Sequence, residues 1–315
     1  MTMIAFGPVP TRRLGQSLGI NHIPPKHCTY NCAYCQVGPT AKEIVKRKPF
    51  YEPDLIFEEV RKKVQAAHAS GVVIDYLTFV PDGEPALDLH LGEAIDLLKP
   101  LAIPIAVISN ASLIWREDVR EELARADVVS LKVDSVLEHE WRKVNRPHAS
   151  LQLAAILEGA LAFAGQFSGR LITETMLLRD VNDSLESLKA TADWLGRLSP
   201  GAAYIGIPTR PPSEPWAQAP GEEAVALAYQ LFSKKVKAVE LLLGFPEEAF
   251  STTGDPVQSI LDITCVHPMR EREALDLLAK KGLTGDALEA LVEGKQLVRV
   301  KHGADVFYVR KLSFQ

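Results

Sequence analysis

Cys28, Cys32 and Cys35 stand within eight residues of one another in His27-Cys28-Thr29-Tyr30-Asn31-Cys32-Ala33-Tyr34-Cys35-Gln36. Three thiolates at spacings of four and three can wrap one face of a cubane iron–sulfur cluster, one thiolate to each iron. The fourth iron is then left without a cysteine. An electron carrier closes that position with a fourth thiolate, whereas an enzyme can leave it open for a small molecule to chelate. A structural zinc site is the first alternative, with His22 or His27 as fourth ligand. A Cys32–Cys35 redox pair is the second, although the usual strand-to-helix setting is missing. Ordinary buried thiols are rarely this dense. The fourth cysteine, Cys265, forms a Cys-x-His pair with His267; two ligands do not hold a second cluster, and a buried structural thiol is the expectation.

The elements that must position these thiols follow from periodicity. Short apolar runs at Val73–Val80, Ile103–Ser109, Val128–Val133, Leu171–Leu178 and Ala202–Ile207 read as buried parallel strands. Between them, Leu89–Lys99, Trp115–Ala126, Leu151–Phe163 and Ser184–Leu198 carry apolar residues at helical spacing. Gln16–Ile23 and Leu55–His68 supply a first strand and helix upstream. Six β/α units result, and the fold class is α/β, a partial (β/α)6 barrel of the TIM type. The cysteines fall in a loop at the end of the first strand.

Ile207–Gly221 holds five prolines and reads as a long loop, followed by a helix near Glu222–Lys234 and a short apolar run, Ala238–Leu243. The expected division is a barrel domain over 1–243, a linker over 244–257 and a small winged-helix-like module over 258–315. In that module helices at Met269–Lys281 and Gly285–Glu293 precede a hairpin turning at His302-Gly303-Ala304. The net charge of -5 over 315 residues argues against a globally basic nucleic-acid binder. No apolar run is long enough to cross a bilayer. The N-terminus lacks the apolar segment of a signal peptide, so a cytoplasmic address is expected, with no membrane partner.

Cx3Cx2C with an aromatic residue, here Tyr34, before the last cysteine resembles the signature of the radical S-adenosylmethionine (SAM) superfamily. The resemblance continues at successive strand ends, where α/β-barrel sites lie. Val80-Pro81-Asp82-Gly83-Glu84-Pro85 is similar to the superfamily's Gly-Gly-Glu-Pro turn, with Asp82 in place of the first glycine. Ile108-Ser109-Asn110-Ala111 resembles its Ser/Thr-Asn turn. Leu131-Lys132-Val133-Asp134-Ser135 and Val181-Asn182-Asp183 resemble positions around SAM and substrate. Phe6–Gly15, with the Pro-Pro-Lys before the cysteines, narrows the likeness to short proteins grouped with the wyosine-type tRNA synthases.

That resemblance implies a [4Fe-4S] cluster on Cys28, Cys32 and Cys35, with SAM chelating the open iron. It implies SAM contacts from Tyr34, Gly83, Glu84, Pro85, Ser109, Asn110, Lys132, Asp134 and Asn182, Glu84 taking the SAM ammonium. It also implies an electron donor such as flavodoxin or ferredoxin, and reductive cleavage of SAM to a 5′-deoxyadenosyl radical that takes hydrogen from a substrate. RNA is one candidate substrate. Glu174, Tyr204, Arg210, Arg12 and Arg13 are candidate substrate or entrance residues; a charge inside a strand, as at Glu174, is costly unless paired. The rival function is a non-enzymatic iron–sulfur sensor that binds nucleic acid through its winged helix. From Cys265 on, however, nine Lys/Arg face seven Asp/Glu, which is no basic footprint.

Overall fold

A computed structural model describes residues 3–242, 255–266, 268–302 and 305–311. The chain opens with a hairpin, β1 (Ala5–Thr11) and β2 (Gly15–Ile20), paired antiparallel. Helix α1 (Pro53–Ala69) leads to β3 (Tyr76–Phe79), and α2 (Leu91–Leu98) to β4 (Ile105–Ser109). Then follow α3 (Glu117–Leu123), β5 (Val128–Lys132), α4 (Glu138–Asn145), α5 (Leu153–Gln166) and β6 (Arg170–Met176). Helix α6 (Leu185–Leu198), β7 (Ala202–Gly206), α7 (Glu222–Ser233) and β8 (Val239–Leu242) complete the series. The eight strands lie in chain order, and every pairing from β2 to β8 is parallel. The sheet curls into a partial barrel of the TIM type, helices outside.

Alternation along each strand divides two cores. Leu77, Phe79, Val129, Leu131, Leu171 and Ile205 face the helices, where α1 presents Ile56, Val60 and Val64 at helical spacing. Ala106, Val128, Ile172, Ala202 and Tyr204 face the lumen. The side chains between and above these, Ser130, Lys132 and Glu174, share the lumen face by register.

Beyond β8 come α8 (Pro256–Val266), a two-residue strand β9 (Met269–Arg270), α9 (Glu271–Ala279), α10 (Asp286–Glu293), β10 (Leu297–His302) and β11 (Asp305–Arg310). The three strands form a sheet ordered β10-β11-β9. Its core joins Ile260, Ile263, Leu277, Leu278, Leu288 and Tyr308 to Phe6 and Val9 of β1, so the C-terminal segment packs on the barrel's first strand. Most of the expected linker, and the side chains of Cys265 and His267, lie outside the described residues.

Four elements differ from expectation. β1 escapes a strand reading because it contains Gly7, Pro8 and Pro10, which an edge strand tolerates; its Phe6 ring stands 2.0 Å from where a Cβ on Gly19 would lie, so only glycine fits there. Helix α4 is short and mostly polar, with Trp141 and Val144 as its buried apolar residues. The run Ala238–Leu243 contributes an eighth strand. The helix expected from Met269 begins at Glu271, because Met269 pairs with Tyr308 and Arg270 with Phe307 on β11.

His22, just past β2, is fully buried with its ring edge-on to Phe79 at 4.9 Å and Nε2 3.4 Å from the Pro85 carbonyl. Burial pushes its pKa down from 6.5 to about 4. Between those values the unfolded chain binds a proton that the folded chain refuses, so stability falls as pH drops through that window. His22→Leu should flatten this dependence. Between pH 7 and 4.5 the wild type should lose about 2–3 kcal/mol more than the variant, read by urea unfolding at each pH.

Candidate active site

The cysteines occupy an irregular segment between β2 and α1, held from three sides by backbone bonds. On the β3 side, Lys26 N donates to Asp82 O at 2.8 Å and Glu84 N to His27 O at 3.0 Å. At the C-terminus of α4, Asn31 N reaches Asn145 O at 3.1 Å and Ala33 N reaches Val144 O at 2.8 Å. Across the loop itself, Ile44 N donates to Cys28 O at 2.9 Å. Gly83 explains the closeness of the first contact: a Cβ there would lie 2.0 Å from the His27 carbonyl oxygen.

Each sulfur has at least one side-chain donor beside it. Asn110 Nδ2 lies 3.6 Å from Cys28 Sγ, Asn145 Nδ2 3.5 Å from Cys32 Sγ, and Lys26 Nζ 3.5 Å from Cys35 Sγ. Burial, with the neighbouring thiol adding to it, pushes Cys28 upward; burial and Asp134 push Cys32 up to about 12. Bare thiolates are therefore disfavoured here, and cationic iron would supply the missing counter-charge. Among the described residues no three of His, Cys, Asp and Glu are placed to hold a single metal ion. Of the two histidines considered for a zinc site, His22 is fully buried in the core, and His27 has Nδ1 3.0 Å from the Pro24 carbonyl. The donor set fits a cluster of several metal atoms, three of them thiolate-bound.

The residues called from the strand ends divide by burial. Tyr34, Gly83, Asn110 and Lys132 are partly exposed around the loop, while Glu84, Ser109, Asp134 and Asn182 are buried behind it. Glu84 was expected to present its carboxylate to an ammonium, and the structure turns it inward. Its oxygens accept from Ser109 Oγ at 2.7 Å, Asn110 N at 2.7 Å and Ala86 N at 3.0 Å. Burial raises its pKa to about 7 against these bonds. Ser109 is likewise consumed, accepting from Ala111 N at 3.0 Å. Pro85 starts a buried 3-10 turn. Asn182 donates to Asp134 O and Met176 O and accepts from Leu178 N, all within 2.8 Å, so it braces the backbone. Asp134 accepts from the Tyr34 hydroxyl at 2.5 Å, Asn145 Nδ2 at 2.6 Å and Met176 N at 2.8 Å. It thus orients the aromatic residue of the cysteine motif and the donor to Cys32.

Lys132 Nζ sits 4.8 Å from the centre of the Tyr34 ring and 3.1 Å from Glu174 Oε1. Glu174 does point into the barrel, and Arg13, from the tip of the first hairpin, pairs with it from the other side. Arg12, exposed, bonds the Leu241 carbonyl on the last strand at 3.2 Å. Arg210 is 7% exposed and faces Glu273 and Arg270 of the C-terminal segment, so it is not the surface residue its proline-rich loop suggests. Asn145 escaped the sequence reading because its helix did; Lys26 had a visible signal, a lysine two residues before the first cysteine.

Residues 23–195 match the Radical SAM superfamily, more than half of the chain. This chain belongs to the radical SAM superfamily. Over 311 residues it is 44% identical to a UPF0026 protein of Methanocaldococcus jannaschii, covering 98% of this chain and 96% of that one. A UPF0026 protein of Helicobacter pylori (strain J99) is 31% identical over 309 residues, 97% of each. Among solved structures, TYW1 with a lysine–pyruvate adduct bound superposes with a TM-score of 0.55 at 14% identity, covering 70% of this chain and 74% of that one. A radical SAM methyltransferase from Sphaerobacter thermophilus gives 0.53 at 16% identity, covering 72% and 67%. These two likenesses are of fold. The radical SAM protein is an enzyme, and the superfamily's two cofactors, a [4Fe-4S] cluster and SAM, are its own. No helix among the described residues is long and apolar enough to cross a membrane.

Hydrogen bonds to cluster sulfurs raise the reduction potential by stabilising the more negative reduced state. Lys26 gives the one cationic donor of the three. Lys26→Met should lower the potential by roughly 50–100 mV, one to two kcal/mol for one electron, a charged hydrogen bond's worth. An anaerobic redox titration followed by electron paramagnetic resonance reads the shift, and Asn110→Ala should move it less.

Proposed function

We propose that Cys28, Cys32 and Cys35 hold the [4Fe-4S] cluster and that this enzyme cleaves SAM reductively to abstract hydrogen from its substrate. The observation that carries this reading is the convergence of three thiols, each with its own side-chain donor, on loops that end β2, β3 and β4 and on the C-terminus of α4. The cluster, when bound, supplies the electron that breaks the sulfur–C5′ bond of SAM, releasing methionine and a 5′-deoxyadenosyl radical. The partly exposed backbone of Pro81-Asp82-Gly83, the Asn110 region and Lys132 stand where SAM's polar groups would dock. Glu84 and Ser109 fix the relative positions of two of these turns, and Asp134, through Tyr34 and Asn145, fixes the third side. Burial of the surrounding shell excludes water from the reacting atoms. A small iron–sulfur or flavin protein would deliver the electron.

We read the C-terminal segment as a winged-helix-like module docked on the barrel rather than a nucleic-acid reader. Its third helix, α10, carries Asp286, Glu289 and Glu293 and no Lys or Arg, which repels phosphate. This weighs against RNA binding through the module and against the sensor reading. The test is anaerobic reconstitution, reduction with dithionite and addition of SAM, with 5′-deoxyadenosine quantified by chromatography. Its formation supports the reading; a reconstituted protein that neither binds nor cleaves SAM overturns it.

A further inference from the structure

The Asp82 side chain stands in the turn after β3 and has no part in the SAM cleavage proposed above. Its Oδ2 accepts from Asn21 Nδ2 at 3.1 Å, and its amide donates back to Asn21 Oδ1 at 3.1 Å. Asn21 is buried, and its own amide donates to the Ile4 carbonyl at 2.7 Å. The Asp82 carbonyl holds the Lys26 amide at 2.8 Å, which ties the same residue to the cysteine loop. A glycine at this position, as in the turn it resembles, would lack the carboxylate and its bond to Asn21.

The C-terminal segment reaches the same turn. Val80, just ahead of Pro81 and Asp82, packs against the core that Ile260, Leu277 and Tyr308 share with Phe6 and Val9. Arg310, on β11, donates from Nη1 to the Leu261 carbonyl at 3.1 Å, and its charge bears on the Asp82 carboxylate. Lys26 is the other cation acting there, but its Nζ is committed to Cys35 Sγ and the Gly38 carbonyl. Burial of the Asp82 carboxyl raises its pKa to about 6, with Asn21 and the two cations opposing, so it is ionised at pH 7. The same segment also touches the barrel away from this turn, where Asp262 meets Lys63 of α1 at 3.4 Å.

We propose that Asp82 is a positioning residue for SAM, locking the Pro81-Asp82-Gly83 turn between Asn21 and Arg310, so that the C-terminal segment forms part of the SAM site. The proposal rests on the assignment of SAM to this turn. A turn ordered in advance spares SAM the cost of ordering it, and that saving appears as affinity.

The direction of one effect separates positioning from a simple field. SAM carries a sulfonium, an ammonium and a carboxylate, one net positive charge. By charge alone, removing a nearby cation should tighten its binding; if Arg310 holds the turn through Asp82, removal should weaken it. The test is calorimetric titration of SAM into the reconstituted full-length enzyme, with iron content matched among variants. Arg310→Gln should weaken SAM binding about three- to tenfold, and Asp82→Ala roughly tenfold or more. Arg310→Met, which keeps the aliphatic stem, serves if Arg310→Gln does not fold. Asp82→Asn keeps the acceptor for Asn21 and loses only the charge, so it should match Arg310→Gln. The two changes together should cost no more than either alone. Lys63→Gln, which loosens the same segment away from the turn, should bind SAM as wild type does. Unchanged or tighter binding on neutralising Arg310 overturns the proposal, as does equal weakening by Lys63→Gln or full additivity of the pair. A wild-type enzyme that binds no SAM would instead count against the function proposed above, so its titration comes first.

Discussion

Cys32→Ala should abolish formation of 5′-deoxyadenosine, by about three orders of magnitude or more, while leaving the barrel folded. Cys32 lies in an irregular loop and only partly contacts the apolar core, so its sulfur contributes little to the fold. A change in stability of about 1 kcal/mol is the usual scale for such a site. Under the proposed function, in contrast, the thiolate is one of three ligands to the cluster, and the fourth cysteine of the sequence, Cys265, stands outside the Cx3Cx2C motif. With two thiolates the cluster should load poorly and bleach on reduction. Iron content, visible absorbance and circular dichroism on one sample separate the two effects. Wild-type turnover in the variant would mean that the thiols are not the electron source. The Asn145→Ala variant is the graded companion: it removes the donor to Cys32 and one support of Asp134, and should retain a cluster of altered potential.

Gly83→Ala should be nearly as damaging although it removes nothing. The added methyl would stand 2.0 Å from the His27 oxygen and 2.9 Å from its carbonyl carbon. Both are backbone atoms, so no rotamer change relieves the clash. The two chains are tied by bonds on either side of it, Lys26 N to Asp82 O and Glu84 N to His27 O. The methyl must either break these or push out the residue that precedes Cys28. Loss of one or two such bonds with local strain amounts to about 2–3 kcal/mol. For a chain of 315 residues that corresponds to roughly 3–5 °C in Tm. The functional loss should exceed the loss in stability, because Glu84 and the cysteine loop move relative to each other. Thermal melts of the apo protein and iron content after reconstitution check both parts; an unshifted melt with full iron would show that the loops are not locked as described.

These two positions also show what the sequence could and could not display. The three thiols of the proposed cluster site were visible because their number and spacing are carried by the chain itself. The barrel was legible because parallel strands buried on both faces leave continuous apolar runs between amphipathic helices. The side-chain roles at the strand ends were not. Glu84, Ser109 and Asn182 occupy the expected positions, yet hydrogen bonding turns them inward as braces, and nothing in a strand-end position dictates which way a side chain faces. Arg13 was visible as a charge, but its partner Glu174 lies 161 residues away and meets it only because the hairpin tip reaches the barrel's interior. β1 was hidden by its own prolines, and β9 by the helix that follows it without a break. Asn145 depended on α4, whose polar composition masks it. Charge inside a strand was the better signal: Glu174 was flagged as costly unless paired, and it is paired twice.

The most direct measurement is Mössbauer spectroscopy of the enzyme reconstituted with iron-57, recorded with and without SAM. Three thiolates and four irons require one iron to differ from the others and to respond alone when SAM binds. The expected result is a shift of one quarter of the iron signal on adding SAM, lost in Cys32→Ala. A spectrum in which all four irons stay equivalent and SAM changes nothing would contradict an open, SAM-binding site on Cys28, Cys32 and Cys35.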